Sequence, residues 1–165
     1  MTLIKSISGI RGTIGGKPSE NLTPLDIVKF ATAFAVFIKE KSNKQKINIV
    51  VGRDARVSGE MVNNIINYTL CGMGVNVTDL GQAATPTVEM AVTNLNAEGG
   101  IIITASHNPA QWNALKLLNE NGEFLSGEDG KRILELSENI DVEYSEIKDL
   151  GKVSDYNTAL NDHIS

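Results

Sequence analysis

Cysteine, arginine and any excess of positive charge are scarce in this 165-residue chain. Its single cysteine, Cys71, excludes an internal disulfide framework and a multi-cysteine zinc centre, so stability has to come from packing. Lys and Arg number 15 against 20 Asp and Glu, a formal net charge of −5 that argues against nucleic acid or an anionic membrane surface as a partner. No apolar run approaches the length of a membrane span, and the N-terminal Met1-Thr2-Leu3-Ile4-Lys5-Ser6 lacks the apolar core of a signal peptide, so a cytoplasmic location is expected. Internal repeats and low-complexity tracts are also missing. With 41% hydrophobic residues, what is present suffices for one globular domain with a sizeable core.

Helices and strands alternate along the chain. Thr23-Pro24-Leu25-Asp26 reads as a helix start, with Thr as N-cap, Pro at the first position and an acidic residue reaching back. Leu25, Val28, Ala31, Phe34, Ala35 and Ile38 then recur at helical spacing. A strand over Ile47 to Val51 follows, then a helix capped by Ser58 and carrying Met61, Val62, Ile65, Ile66 and Thr69. A strand over Val75 to Leu80 and a helix opening at Thr85-Pro86 repeat the alternation. Gly99 to Thr104 is a continuous apolar strand of the kind covered on both faces in a parallel sheet. Asn121-Gly122 predicts a hairpin between Leu115–Leu118 and Glu123–Leu125. Ser126 is placed to cap a further helix, and Tyr156, Leu160 and Ile164, four apart, predict a short last one. The fold class is α/β, a mainly parallel mixed sheet sandwiched between helices.

The four arginines are distributed unevenly, since Arg11, Arg53 and Arg56 fall in short Gly-, Asp- and Ser-containing segments rather than on helical faces. Guanidinium groups suit bidentate recognition of phosphate or carboxylate, whereas the alternative is loop-packing ion pairs. In open parallel sheets ligands sit beyond the carboxyl ends of the strands. Two such segments stand out here, Gly52-Arg53-Asp54-Ala55-Arg56-Val57-Ser58-Gly59 leading into a helix N-terminus, and Ala105-Ser106-His107-Asn108-Pro109. A third candidate, Ser8 to Gly16, reads as a flexible glycine loop whose amides could approach a phosphate.

Neither a Walker loop nor a dinucleotide fingerprint is present, because Gly15-Gly16-Lys17 runs into Pro18. Ser106, flanked by His107 and Asn108, is compatible with covalent catalysis or with an Asn-Pro turn whose polar side chains satisfy the backbone. It lacks the glycines of the hydrolase nucleophile elbow, and the only other histidine is His163 in the trailing segment. A serine hydrolase is therefore a third-ranked reading, with labelling of Ser106 by a fluorophosphonate as its signature.

Taken together, Thr104-Ala105-Ser106-His107-Asn108-Pro109, Ser8-Gly9-Ile10-Arg11-Gly12 and Gly52-Arg53-Asp54-Ala55-Arg56-Val57-Ser58 resemble the α-D-phosphohexomutase family of phosphoglucomutases, phosphomannomutases and phosphoglucosamine mutases. The resemblance covers the chain as the first of that family's four domains. It implies that residues 1–150 form the phosphoserine domain and that 151–165 begin a linker toward a second domain absent here. It further implies interconversion of hexose 1-phosphate and 6-phosphate through a phosphoserine at Ser106 and a bisphosphate intermediate. By the same resemblance Lys116, ten residues on, is the general base, with Ala114 standing where the family has glycine. Arg11 contacts phosphate or a sugar hydroxyl, His107 handles protons or orients the phosphoserine, and Asn108 shares the phosphate-binding loop. Mg2+ is implied as cofactor, touching this chain only through phosphate on Ser106, its aspartates lying in the second domain.

Asp54, Arg56 and Ser58 are expected to be mainly structural, as an ion-paired and capped strand-to-helix turn. Arg11, Arg53, Arg56 and Lys116 are expected to gather around Ser106. The expected partners are a glucose, mannose or glucosamine phosphate and the remaining domains of a parent chain, without which the isolated domain should not turn over. The alternative is a non-catalytic single-domain module that binds a phosphosugar or another anion.

Overall fold

The computed structural model describes residues 1–7 and 9–156. Its elements are β1 (Ile4–Ser6), β2 (Gly9–Thr13), α1 (Pro24–Lys41), β3 (Asn48–Arg53), α2 (Gly59–Gly72), β4 (Asn76–Gln82), α3 (Thr85–Asn94), β5 (Gly99–Ile103), β6 (Trp112–Leu118), α4 (Gly127–Glu138), a 3-10 turn at Ile147–Asp149 and β7 (Val153–Asp155). Ser8, His163 and the short helix expected from Leu160 and Ile164 lie outside the described residues.

One seven-stranded sheet runs in the order β1-β2-β6-β5-β3-β4-β7. The β5, β3, β4 and β7 neighbours pair parallel, and β6 lies antiparallel between β5 and β2. Because β1 is antiparallel to β2, five of the seven strands point one way and only β1 and β6 oppose them. This is the expected mixed and mostly parallel sheet. Alternation along the strands divides the core between its two faces. Ile49, Val51, Ile101, Ile103, Leu115 and Leu117 pack under residues of α1, α2 and α4 such as Phe34, Ile66 and Ile133. Val50, Ile102 and Leu118 turn the other way and pack against Val88, Ala91 and Val92 of α3. Among the described residues no helix is long and apolar enough to cross a membrane.

The start of α1 follows its sequence signature, and the buried Asp26 carboxylate carries it. One oxygen accepts the Ser19 amide at 2.9 Å, while the other accepts the Thr23 amide at 3.0 Å and the Thr23 hydroxyl at 2.6 Å. Replacing Asp26 by Ala strands the buried amide and hydroxyl of Thr23 and releases the exposed Ser19 amide, and a loss of about 2–3 kcal/mol is expected in urea denaturation. A change under about 0.5 kcal/mol would show that water satisfies those donors.

Several expectations are corrected. Of the expected stripe of α1, Ala31, Phe34, Ala35 and Ile38 are buried, joined by Ile27, Phe30 and Phe37, while Val28 is half-buried and Leu25 is 67% exposed. The helix starts at Pro24 and its phase is set by the aromatic positions, which turns Leu25 to solvent. Ser58 makes no capping bond to α2. Gly9 to Thr13 is no flexible loop but a strand held between β1 and β6. The Asn121-Gly122 turn forms, with Gly122 at φ 72°. Its hairpin does not extend past one bridge, Leu118 to Phe124, because β6 takes β5 and β2 as partners and the chain enters α4 at Gly127. Ser126 does cap α4, accepting the Asp129 amide at 3.2 Å.

On the surface, Arg132 of α4 reaches Glu40 of α1 at 2.6 Å and holds that carboxyl below its ordinary range. Within the segment expected to start a linker at 151, Val153–Asp155 pairs with β4 as the edge strand.

Candidate active site

The loop between β5 and β6 meets the loop between β3 and α2 at the carboxyl end of the parallel strands. Ser106 sits there exposed to solvent, with φ 54°, a left-handed conformation uncommon for a residue with a Cβ. A turn closed by the Asn108 amide on the Ala105 carbonyl at 3.0 Å follows it. The chain then returns as β6, which brings Lys116 back to the serine. Lys116 Nζ donates to Ser106 Oγ at 2.7 Å.

Strand alternation explains how a lysine between apolar residues reaches the site. Leu115 and Leu117 enter the larger core, so Lys116 projects from the opposite face of β6. Gly9 of β2 lies directly across from it and Arg11 lies across from Ala114, which makes Arg11 and Lys116 diagonal neighbours on one face. With Ile4, Ser6 and Gly9 they line a depression of about 220 Å3. Helix α3 covers the same face over β3, β5 and the Leu118 end of β6, and none of its residues lines the depression. Ala114 lies within β6 and is not among the residues with positive φ, so the extended strand accepts its Cβ where a glycine was expected.

Around the serine the two loops are tied by Arg56. Its Nη1 donates to the carbonyls of Pro109 at 2.7 Å and Trp112 at 3.0 Å. Its Nη2 donates to those of Ser106 at 2.9 Å and Asn108 at 2.8 Å. Nε turns back to Asp54 at 3.3 Å. Asp54 also accepts the Thr104 hydroxyl at 2.6 Å, and Thr104 Oγ1 in turn accepts the Ser106 amide at 3.1 Å. Ser58 accepts Asn113 Nδ2 at 2.9 Å, which fastens the start of β6 to the start of α2.

The expected cationic gathering is therefore divided. Lys116 touches Ser106, Arg11 shares the adjoining depression with Lys116, and Arg56 is consumed by backbone carbonyls. Arg53 donates instead to the Asp54 carbonyl at 3.4 Å and packs by Gly59, with no bond to Ser106 among the described residues. His107 is exposed beside the serine, and Asn108 is half-buried. Thr104, quoted only as the first residue of its motif, and Asn113 are given no role by the sequence. The one signal for Asn113 is a polar residue at the head of an apolar strand, and Thr104 carries none beyond its neighbours. No cluster of three or more His, Cys, Asp or Glu is arranged to hold a metal among the described residues. Asp54, the carboxylate of this network, is already engaged by Arg56 and Thr104.

Comparison with known proteins identifies the family of the chain. The chain is 42% identical over 119 residues to a phosphoglucomutase/phosphomannomutase of Thermococcus kodakarensis, covering 71% of this chain and 26% of that protein. It is 34% identical over 140 residues to the phosphoglucosamine mutase of Helicobacter acinonychis, covering 85% of this chain and 30% of that protein. The chain thus spans about a quarter to a third of the curated relatives it matches. The crystal structure of a phosphoglucomutase/phosphomannomutase family protein from Burkholderia thailandensis shares the fold, with a TM-score of 0.79 at 22% identity over 96% of this chain and 34% of that one. Residues 3–143 match the family model of the phosphoglucomutase/phosphomannomutase α/β/α domain I, and the chain belongs to that family as its first domain.

Proposed function

We propose that this chain is the phosphoserine domain of a cytoplasmic phosphohexomutase that interconverts hexose 1-phosphate and 6-phosphate. The contact of Lys116 Nζ with Ser106 Oγ at 2.7 Å carries the reading. General acid–base work needs a group within about 2.6–3.2 Å of the proton it moves. When phosphate on Ser106 passes to a sugar hydroxyl, the Oγ–P bond breaks and a P–O bond to the sugar forms. Lys116 accepts the proton of that hydroxyl and delivers it to the departing Oγ, so one group serves both ends of the transfer. The reverse sequence, with the bisphosphate returning its other phosphate to Ser106, regenerates the enzyme and completes the isomerisation. Arg11, one diagonal away, supplies positive charge where phosphoryl oxygens gather, and His107 and Asn108 flank the serine.

Mg2+ would supply charge neutralisation on the transferring group. The fit within this chain is partial, since only an oxygen of phosphorylated Ser106 is offered to it and further ligands would come from other domains. The sugar, a glucose, mannose or glucosamine phosphate, is likewise held in part by those domains, and the isolated chain is proposed to be unable to complete a turnover.

Incubating the chain with a hexose 1,6-bisphosphate and following intact mass tests the central point. Gain of one phosphoryl group, mapped to Ser106, is expected, with no conversion of glucose 1-phosphate to glucose 6-phosphate by this chain alone. Tight binding of hexose phosphate without phosphoryl uptake would favour the anion-binding module instead, and robust conversion would overturn the dependence on further domains.

A further inference from the structure

We propose that Asp54 and Arg56 are positioning residues that impose the left-handed conformation of Ser106. Its catalytic consequence rests on Ser106 being the phosphoryl carrier, whereas the conformational claim stands without it. Both peptide groups flanking Ser106 are tied to the same ion pair. The Ser106 amide donates to Thr104 Oγ1 at 3.1 Å, and the Thr104 hydroxyl donates to Asp54 Oδ2 at 2.6 Å. Arg56 Nε donates to that same oxygen at 3.3 Å, and Arg56 Nη2 closes the ring on the Ser106 carbonyl at 2.9 Å.

A ring closed through the amide before Ser106 and the carbonyl after it fixes φ and ψ together. Left to itself a serine avoids the left-handed region, where Cβ crowds the backbone. Such conformations persist only where the surroundings over-determine them. Here the determinant is built into a different loop, with Asp54 itself oriented by the Arg56 amide on Oδ1 at 3.1 Å. Three further carbonyls on the same guanidinium, those of Asn108, Pro109 and Trp112, keep the rest of the loop from following a relaxation at Ser106. Lysine could keep the charge but not this fan of donors. The side chain of Arg56 is only 12% exposed, so the fan is largely shielded from competing water.

A coupling experiment isolates the conformational role from both chemistry and general stability. Ser106→Gly and Ser106→Ala both lack the hydroxyl and differ in tolerance for positive φ. In the otherwise native chain, the glycine variant should favour the folded state roughly threefold to tenfold over the alanine variant. In an Arg56→Gln background that ratio should fall to about one, because a released loop lets alanine leave the strained region. Thr104→Val, which removes the acceptor of the Ser106 amide while retaining Arg56, provides the same comparison if Arg56→Gln fails to fold. Arg56→Lys should not restore the ratio. An undiminished glycine advantage in the Arg56 and Thr104 backgrounds would overturn the proposal. Failure of phosphoryl uptake by the native chain would count against the functional reading and leave this outcome untouched.

Discussion

Ser106→Ala should abolish phosphoryl uptake from a hexose 1,6-bisphosphate while leaving the fold in place. The covalent step needs a nucleophilic oxygen that accepts phosphorus and later leaves, and alanine supplies none. Neighbouring hydroxyls do not compensate, because Thr104 Oγ1 is held between Asp54 and the Ser106 amide. Ser106 is exposed and, among the described residues, its hydroxyl bonds only to Lys116 at 2.7 Å, so the change in folding stability should stay within about 0.5 kcal/mol. Intact mass after incubation, read beside urea denaturation, separates the two effects. Stoichiometric phosphorylation of the alanine variant at another residue would move the phosphoryl carrier off Ser106 and remove the basis of the functional proposal.

Lys116→Met is the second large effect, a slowing of phosphoryl transfer by about 10²–10⁴-fold, the usual worth of a positioned acid–base group. Methionine keeps much of the stem's apolar bulk, and the position faces away from the core that Leu115 and Leu117 enter, so stability should change little. Location on a strand rather than in a loop gives Lys116 its fixed reach. Gly9 opposite permits the close approach of β2, since a Cβ there would lie 2.1 Å from the Leu115 carbonyl oxygen. Lys116→Arg should recover little of the rate, because a guanidinium retains its proton and cannot accept one from the sugar. Measured as the rate of Ser106 phosphorylation under single turnover, an unchanged Lys116→Met rate would reassign the proton-transfer role.

Periodicity and end signals in the sequence were sufficient for α1 to α4 and for β3, β4 and β5. Thr23-Pro24-Leu25-Asp26 and Ser126 mark helix starts through local hydrogen bonds, and such bonds are made between residues three apart whatever the rest of the chain does. Gly99 to Ile103 reads as doubly covered because both of its faces are apolar, and both are covered. Spacing places Ala31, Phe34, Ala35 and Ile38 of α1 correctly but not Leu25, and it omits the buried Ile27, Phe30 and Phe37, because apolar residues occupy most of that helix and spacing alone does not bound the stripe. The first strands were missed for a related reason. Gly9, Arg11 and Gly12 carry no alternation, and their pairing with β6 is a contact across about a hundred residues. Ser58 shows how a tertiary partner outcompetes a local one, its hydroxyl serving Asn113 rather than the helix end.

By itself, then, the sequence determined the α/β class, the elements whose signals are local and, through the resemblance carried by three short motifs, a candidate serine and a candidate lysine ten residues on. Tertiary structure alone decided that Lys116 meets Ser106, that Arg11 stands one diagonal away, that Arg53 stays apart and that Arg56 spends its donors on the loop's carbonyls. Local rules of spacing fix which face a residue takes within its own element. Which element lies opposite that face is settled by long-range strand pairing and the closing of loops, and the site is assembled from those pairings.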